Sequence, residues 1–298
     1  MRLLKFILIL LCTCMTVILV HAQENSDFKG TSCVPVRTTV EEELAFHAGE
    51  RMDFILHYKW GTINADVGTA TVTLDSLDFN GQKAFKCYVT GRTSKFFDIF
   101  FKVREEFASW FTRDGLRPLK FYRNTHEGGY EARNTYLYRW DAPEPYIAAD
   151  VYTSKMGQMS MELPLTPCTY DLPSLFFFAR NMDIENVDPG KRYPMTFAID
   201  DEVYNVYFIL YGKETIKVKG LGTVNTIKFA AKLLEGEVFK GEEDMFIWIS
   251  DDENRLPVYF EAPLLVGVAA GRMSGYDGLR YPFTSLIKQK NNGKEKRD

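Results

Sequence analysis

The sequence feature that most constrains the fold is a single strongly apolar helical segment in a chain that otherwise has the pattern of β-strands. The segment Thr166–Asp183, TPCTYDLPSLFFFARNMD, has the three- and four-residue apolar spacing of a helix. Asp171 can cap it and Pro173 falls in its first turn, where a missing amide hydrogen costs nothing. We therefore predict one principal buried helix over about residues 171–182, with Arg180 as the one charge inside its apolar run.

Almost everything else alternates with a period of two, which is typical of half-buried strands. Short strands recur from Met52 to Tyr152 and again from Tyr193 to Ala270, separated by Gly-, Asn-, Asp- and Pro-containing turns. The sequence predicts a mainly β protein: a highly curved antiparallel sheet, an open β-barrel or a sandwich that receives the helix. No low-complexity linker divides the strands, so we expect a single domain over residues 45–287.

The two ends of the chain do not have the alternating pattern of β-strands. Met1–Ala22 combines a charged start with an apolar core and is typical of a signal peptide cleaved near Ala22-Gln23, although a retained anchor is an alternative. We predict an N-terminal arm over 23–44 and a disordered basic tail over 288–298. No second apolar run of eighteen residues follows, so we expect no transmembrane segment in the mature chain. Export to the periplasm or envelope is the predicted location.

Charge narrows the class of partner. Removal of Arg2 and Lys5 with the signal leaves 34 basic against 40 acidic residues, a formal net charge of −6. This balance argues against nucleic acid and anionic membrane surfaces as partners.

Three cysteines remain after cleavage. Cys87 shares a strand face with Phe85 and Val89, which predicts a buried thiol. Cys33 and Cys168 lie beside prolines in loop-like sequence, and an oxidising compartment favours a Cys33–Cys168 disulfide. Three free thiols are the alternative.

Catalytic signatures are missing from the sequence. It contains no G-x-S-x-G, H-E-x-x-H, C-x-x-C or phosphate-binding glycine loop, and its histidines lack metal-ligand spacing. We therefore predict no metal, no cofactor and no enzyme. Arg123, His126 and Glu127 form the most site-like polar cluster, although a hairpin connection rich in turn residues is the favoured explanation of this segment.

Aromatic residues are over-supplied, most densely in Lys95–Phe111. Such side chains normally build cores, and the functional alternative is a hydrophobic pocket or a partner surface. The candidates for lining a ligand site are Phe96, Phe97, Phe100, Phe101, Phe176, Phe177, Arg180 and Trp248.

Five blocks resemble a known family: FHAGERMDFILHYKWGTINADVGTATVTL from Phe46, SKFFDIFFKVREEFASWF from Ser94, LRPLKFYRNTHEGGY from Leu116, CTYDLPSLFFFARNMD from Cys168 and FIWISDDENRLPVYFE from Phe246. Together they resemble the exported bacterial domain-of-unknown-function family DUF3108. The resemblance implies a Gram-negative envelope location and an antiparallel β fold, and it brings no catalytic residues. The hairpin Ile247–Tyr259 is also similar to one in periplasmic lipoprotein carriers.

These patterns leave three functional hypotheses. The first is a non-enzymatic envelope protein that binds a lipid-like apolar ligand or an envelope partner. The second is an assembly or structural factor with a filled barrel that works through its surface. The third is an envelope-polymer hydrolase that relies on Arg123, His126 and Glu127.

Overall fold

The computed structural model describes residues 34–232, 244–264 and 266–289. Within these ranges the chain forms sixteen strands: β1 (Arg51–Trp60), β2 (Ile63–Phe79), β3 (Gln82–Thr93), β4 (Val103–Thr112), β5 (Pro118–Glu127), β6 (Tyr130–Arg139), β7 (Tyr146–Thr153), β8 (Gly157–Pro164), β9 (Thr169–Tyr170), β10 (Arg192–Ile199), β11 (Glu202–Val218), β12 (Gly222–Lys232), β13 (Asp244–Ser250), β14 (Pro257–Pro263), β15 (Val268–Asp277) and β16 (Leu286–Gln289). Two α-helices, α1 (Lys95–Asp98) and α2 (Leu172–Ala179), and two 3₁₀ turns, Glu41–Glu43 and Ile184–Asn186, complete it.

The strands form one mostly antiparallel sheet in the order β8-β7-β6-β5-β4-β3-β2-β1-β15-β14-β13-β12-β11-β10-β9, and β16 pairs with β12. Two meanders, β1 to β8 and β10 to β15, are joined where β1 pairs with β15. Strand β9 is parallel to β10, and α2 follows it in the connection between the meanders. The mainly β, single-sheet prediction is confirmed.

The sheet curls strongly although its path does not close. Asp200, in the turn between β10 and β11, contacts Arg123 on β5 and Asn134 on β6. Strands β5 and β10 lie far apart in the sheet order. Curvature therefore brings one end of the sheet against the inner face of the other and encloses an interior.

Helix α2 lies in that interior. The carboxylate of Asp171 accepts from the Ser174 amide at 2.9 Å, and the Ser174 hydroxyl accepts from the Asp171 amide at 3.1 Å. This reciprocal box satisfies amide groups that a helix start leaves unpaired. The Phe177 ring is fully buried, with its centroid 4.7 Å from that of Phe46 and 5.8 Å from that of Phe111.

The structure corrects the helix in two respects. It ends at Ala179, three residues before the predicted Met182, and Arg180 is its C-cap. Its buried apolar positions are Leu175, Phe177 and Phe178, whereas Leu172 is 42 % exposed. An isolated β-bridge between Val36 and Met182 explains the early end, because Met182 pairs with the N-terminal segment and does not continue the helix.

Other differences lie at the ends and in weak strands. Strand β16 continues to Gln289, two residues beyond the expected end of the domain. Strand β8 and helix α1 have no counterpart in the predicted elements, and β11, at 17 residues, is longer than the short strands predicted for that region. The predicted signal peptide, Cys33 and residues 290–298 lie outside the described residues.

Candidate functional site

Helix α1 divides its aromatic residues between solvent and the interior. Ile99, just after the helix, and Phe96 are 77 % and 64 % exposed, and Phe100 is 38 % exposed. Phe97 and Phe101 are partly buried. Arg104 fixes the helix by donating to both oxygens of Asp98, at 2.9 and 2.6 Å. The dense aromatic run is thus neither wholly core nor wholly surface.

Phe97 and Phe101 close one side of an interior cavity of about 140 Å³, whose walls are almost entirely apolar. Strands β1 to β4, β14 and β15 supply the other walls. The lining residues are Leu56, His57, Val67, Gly68, Gly91, Arg92, Thr93, Phe97, Phe101, Val103, Glu105, Phe260, Ala269 and Ala270. We call this space the α1 cavity.

A glycine shapes the wall opposite α1. A Cβ atom on Gly271 would lie 2.1 Å from the Phe260 ring, well inside contact distance. The missing side chain lets that ring lie flat across β15 and reach the cavity.

One carboxyl group enters this apolar space. Along β4 the residues Val103, Glu105, Phe107, Ser109 and Phe111 alternate onto one face. Four of them are buried, so Glu105 is a carboxyl group placed on an inward row. Its neighbour Glu106 faces the other way and accepts from the Tyr88 hydroxyl at 2.7 Å.

Glu105 belongs to a buried hydrogen-bonded chain. The Arg123 Nε group donates to the Thr125 hydroxyl at 2.8 Å, and that hydroxyl donates to Glu105 Oε2 at 2.6 Å. Arg123 Nη1 also donates to Asp200 Oδ1 at 2.6 Å, and Asn134 donates to the same oxygen at 2.8 Å. The chain links the α1 cavity to the turn between β10 and β11.

A second carboxyl group, Glu127, lies beside Glu105 within hydrogen-bonding reach. Burial, together with the charge of Glu105, raises the pKa of Glu127 to about 10. Burial also raises the pKa of Glu105, and the Arg123 charge opposes that rise. Two adjacent buried carboxylates repel each other, so Glu127 keeps its proton at neutral pH and can share it with Glu105.

The cluster is short of donors. Glu105 Oε1, Glu127 Oε2, Arg123 Nη2 and Asn134 Oδ1 are all buried without a fixed hydrogen-bond partner among the described residues. A proton on Glu127 supplies one donor to the carboxyl pair. The single guanidinium of Arg123 lies among three carboxyl groups, those of Asp200, Glu105 and Glu127.

The structure separates the predicted polar trio. Arg123 and Glu127 are buried on the inner face of β5, at 0 % and 5 % exposure. His126 lies on the opposite face, where its Nε2 atom is 3.7 Å from Glu131 Oε1 at the surface. Strand alternation imposes this separation, because odd and even positions of β5 point to opposite sides.

His126 lines a different, outward-facing groove of about 370 Å³ over β2 to β5. Its walls carry hydroxyl, carboxyl, guanidinium and amide groups from Thr69, Thr71, Tyr88, Thr90, Arg92, Arg104, Glu106 and Asn124. The groove and the α1 cavity share Gly91, Arg92 and Glu105, so a single layer of sheet divides them.

The remaining ligand-lining candidates lie elsewhere. Phe176 and Phe177 pack with the core around α2, and neither cavity described above includes them. Trp248 is buried, and its indole Nε1 donates to Glu214 Oε1 at 2.6 Å. The structure brings Phe97 and Phe101 together at a cavity and leaves Phe96 and Phe100 exposed beside it. The other four candidates, Phe176, Phe177, Arg180 and Trp248, do not line it.

The buried charge of Arg180 is paired with the carboxylate of Glu50. Its Nη1 and Nη2 groups donate to the two Glu50 oxygens, the second at 2.9 Å, and both residues are at least 97 % buried. The guanidinium also donates to the Asn254 carbonyl at 2.8 Å and lies over the Phe46 and Phe177 rings. It is a structural group.

Cysteines and metals add little to the site. Cys87 is free and fully buried, as predicted, and burial raises the pKa of its thiol. Cys33 lies outside the described residues, so the Cys33–Cys168 disulfide stays a prediction. Among the described residues no group of His, Cys, Asp and Glu side chains is arranged to hold a metal ion. No helix in the described ranges has the length and apolarity needed to cross a membrane.

Sequence reasoning missed most of the cavity wall. The inward-facing polar residues carried a signal that the sequence shows, since each interrupts an apolar alternation. They are Glu105 on β4 and Arg123, Thr125 and Glu127 on β5. Ala269 and Ala270 carried none, because they meet β1 only through a pairing between distant parts of the chain. Phe260 carried none either, because β14 joins this wall only through its pairing with β15.

Comparisons with known proteins identify a matching family and one similar solved structure. The family model "Protein of unknown function (DUF3108)" matches residues 53–274, which confirms the resemblance seen in the sequence. A search of curated proteins finds no significant match. Among solved structures, the beta-barrel-like protein of domain of unknown function DUF1849 from Brucella abortus is similar, at 11 % identity and a TM-score of 0.49, over 76 % of this chain and 96 % of that one.

Proposed function

The chain belongs to the DUF3108 family, a family of unknown function, and we propose that it is a non-enzymatic exported protein that binds an apolar group in the α1 cavity. The single observation that carries the proposal is an apolar space inside the sheet, closed on one side by Phe97 of α1 and by Phe101, which follows the helix. Cavities of this kind are the usual location of small-molecule sites in curved β folds.

The size of the cavity defines what enters it. Drug-sized ligands need roughly 300–1,000 Å³, whereas 140 Å³ is close to the volume of a dry cavity that accepts one benzene ring, about 150 Å³. One ring or a short alkyl segment therefore fits, and the rest of a larger ligand would extend past α1.

The exposed side of α1 supports an approach from a hydrophobic phase or partner. Phe96, Ile99 and Phe100 form an apolar patch directly outside the cavity. Such a patch favours either a ligand that continues outward or an envelope protein docked on α1. Location in the periplasm belongs to the same proposal and is supported by the sequence of Met1–Ala22; cell fractionation tests it.

The alternatives fare differently. The core around α2 is filled by packed aromatic rings, which supports a filled scaffold at that end of the molecule. The hydrolase hypothesis loses its motivation, because His126 lies on the other face of the sheet from Arg123 and Glu127.

Filling the cavity tests binding directly. Ala269→Leu adds three carbons to the cavity wall, and Ala148→Leu makes the same change on β7, away from it. We expect an apolar fluorescent dye to bind the wild-type protein and the Ala148→Leu variant equally. Binding to Ala269→Leu should fall at least tenfold while its circular dichroism is unchanged. Absence of dye binding by the wild-type protein, or equal binding by Ala269→Leu, would contradict the proposal.

A further inference from the structure

Most of the exposed wall of the α1 cavity is apolar, and Glu105 brings a carboxyl group into it. This carboxyl group selects a ligand class. An apolar cavity has no need of a carboxyl group, and burying one is costly unless it is paired. Glu105 Oε1 is shielded from solvent, with no fixed donor among the described residues. The cavity thus offers an acceptor to whatever occupies it.

Four basic residues near Glu105 already have other hydrogen-bond partners. Arg123, its buried neighbour, donates to Asp200 as well as to Thr125. Arg104 is held by Asp98, and Arg272 donates to both oxygens of Asp66, at 2.7 and 2.6 Å. His57, in the cavity wall, contacts Asp66 and Asn64.

His126 is the remaining positive influence on Glu105, and it acts from the outer face of the sheet. Arg92 also lines the cavity, but it is exposed to solvent and lines the outer groove as well. Among the described residues no cation forms an ion pair or a direct hydrogen bond with Glu105. A cation on the ligand would be attracted strongly there, because charges interact more strongly in a poorly solvated space.

We propose that the α1 cavity binds the ring or short alkyl chain of an apolar amine, with the ammonium group directed at Glu105. This inference rests on the proposed function and specifies its ligand class. The hydrocarbon part fills the 140 Å³ between Phe97, Phe101 and Phe260. The ammonium group donates to Glu105 and adds a positive charge to a cluster in which one guanidinium lies among three carboxyl groups.

Three probes of one size separate charge from shape. Benzylamine, benzyl alcohol and benzoate share a ring and differ in the group attached to it, which is cationic, neutral and anionic at neutral pH. Dissociation constants can be measured by ligand-observed NMR with the full-length mature protein. We expect benzylamine to bind at least tenfold more tightly than benzyl alcohol, and benzoate to bind least.

Two neighbouring carboxyl groups provide the variant and its control. Glu105→Gln keeps the shape and removes the charge, so the preference for benzylamine over benzyl alcohol should disappear while benzyl alcohol still binds. Glu106→Gln, on the opposite face of β4, should keep the preference. Ala269→Leu should weaken the binding of both benzylamine and benzyl alcohol.

The outcomes distinguish the two proposals. Equal affinity of the wild-type protein for benzylamine and benzyl alcohol would overturn the proposal that the ligand is an amine, while the proposal of an apolar site would stand. A preference that survives in Glu105→Gln would overturn the role of this carboxyl group. If none of the three probes binds, the proposed function fails with the inference. The wild-type comparison needs no variant, so a Glu105→Gln protein that failed to fold would not prevent the test.

Discussion

Arg180 and Arg123 are both almost fully buried, yet their surroundings differ. The Nε, Nη1 and Nη2 groups of Arg180 all donate, to Glu50 and to the carbonyls of Asn254 and Ala45, and two rings cover its faces. Arg123 leaves Nη2 without a partner and lies among more carboxyl groups than it can neutralise. The first arginine completes a packed core, whereas the second belongs to an incomplete polar cluster beside a cavity.

This difference indicates where each part of the molecule is optimised. A fully satisfied ion pair beside α2 stabilises a fixed arrangement of the helix. Buried polar groups without partners are uncommon in folded proteins, and each one needs an explanation. Four of them lie around Arg123 and Glu105 among the described residues, and they are part of the motivation for the proposed ligand site.

The largest expected effect comes from breaking the satisfied pair. Glu50→Ala leaves the Arg180 guanidinium buried without its carboxylate, and removing one partner of such a pair typically costs about 3–5 kcal/mol. Denaturant unfolding monitored by tryptophan fluorescence measures the loss. Glu253→Ala is the matched control, since Glu253 forms a surface pair with Arg37 and should cost under about 1 kcal/mol. Equal losses in the two variants would contradict a structural role specific to Arg180.

The second expected effect has the opposite sign. The pKa of Glu127 is raised to about 10 in the folded protein, far above the ordinary value near 4.5. The folded state therefore keeps a proton that the unfolded state releases once the pH exceeds about 4.5. Stability is full below that pH and falls by up to ~1.4 kcal/mol per pH unit as the pH rises toward 10.

Glu127→Gln removes this penalty and keeps a donor next to Glu105. We expect the variant to be more stable than the wild-type protein by up to about 3 kcal/mol at pH 7, and equally stable near pH 4. Urea unfolding at several pH values measures the difference. Glu131→Gln, on the exposed face of β6, should match the wild type throughout. A Glu127→Gln protein that is less stable than the wild type at pH 7 would show that Glu127 is ionised and paired.

Local patterns predicted more of this molecule than long-range ones could. The alternation along β4 and β5 placed Glu105 and Glu106 on opposite faces, and the cap at Asp171 was correctly identified. The same alternation, applied to β5, would have separated His126 from Arg123 and Glu127. The approach of Asp200 to β5, and of Phe260 to α1, depends on how far the sheet curls. That curvature is a property of the whole sheet, so no single segment encodes it.

Asp171 connects the two regions and carries the smallest expected effect. It caps α2, and its Oδ2 atom accepts from the Ser109 hydroxyl of β4 at 2.9 Å and from the Tyr138 hydroxyl of β6 at 3.3 Å. Asp171→Ala removes the cap, which typically costs about 0.5–2 kcal/mol, and leaves two buried hydroxyls unpaired. Asp171→Asn keeps an oxygen for the cap and should lose less.

The pH dependence of the Asp171→Ala loss separates burial from capping. Burial, only partly offset by the donors from Ser174, Ser109 and Tyr138, raises the pKa of Asp171 to about 6. The wild-type protein therefore loses stability as the pH rises from about 4 to 6, and the variant, which lacks the group, does not. The cost of Asp171→Ala should be larger at pH 4 than at pH 7.5, as measured by thermal or urea unfolding. A cost that grows with pH would instead mean that the ionised carboxylate is better solvated in the protein than in water, and the interior around β4 would then be less apolar than the packing of Phe111 and Phe177 indicates.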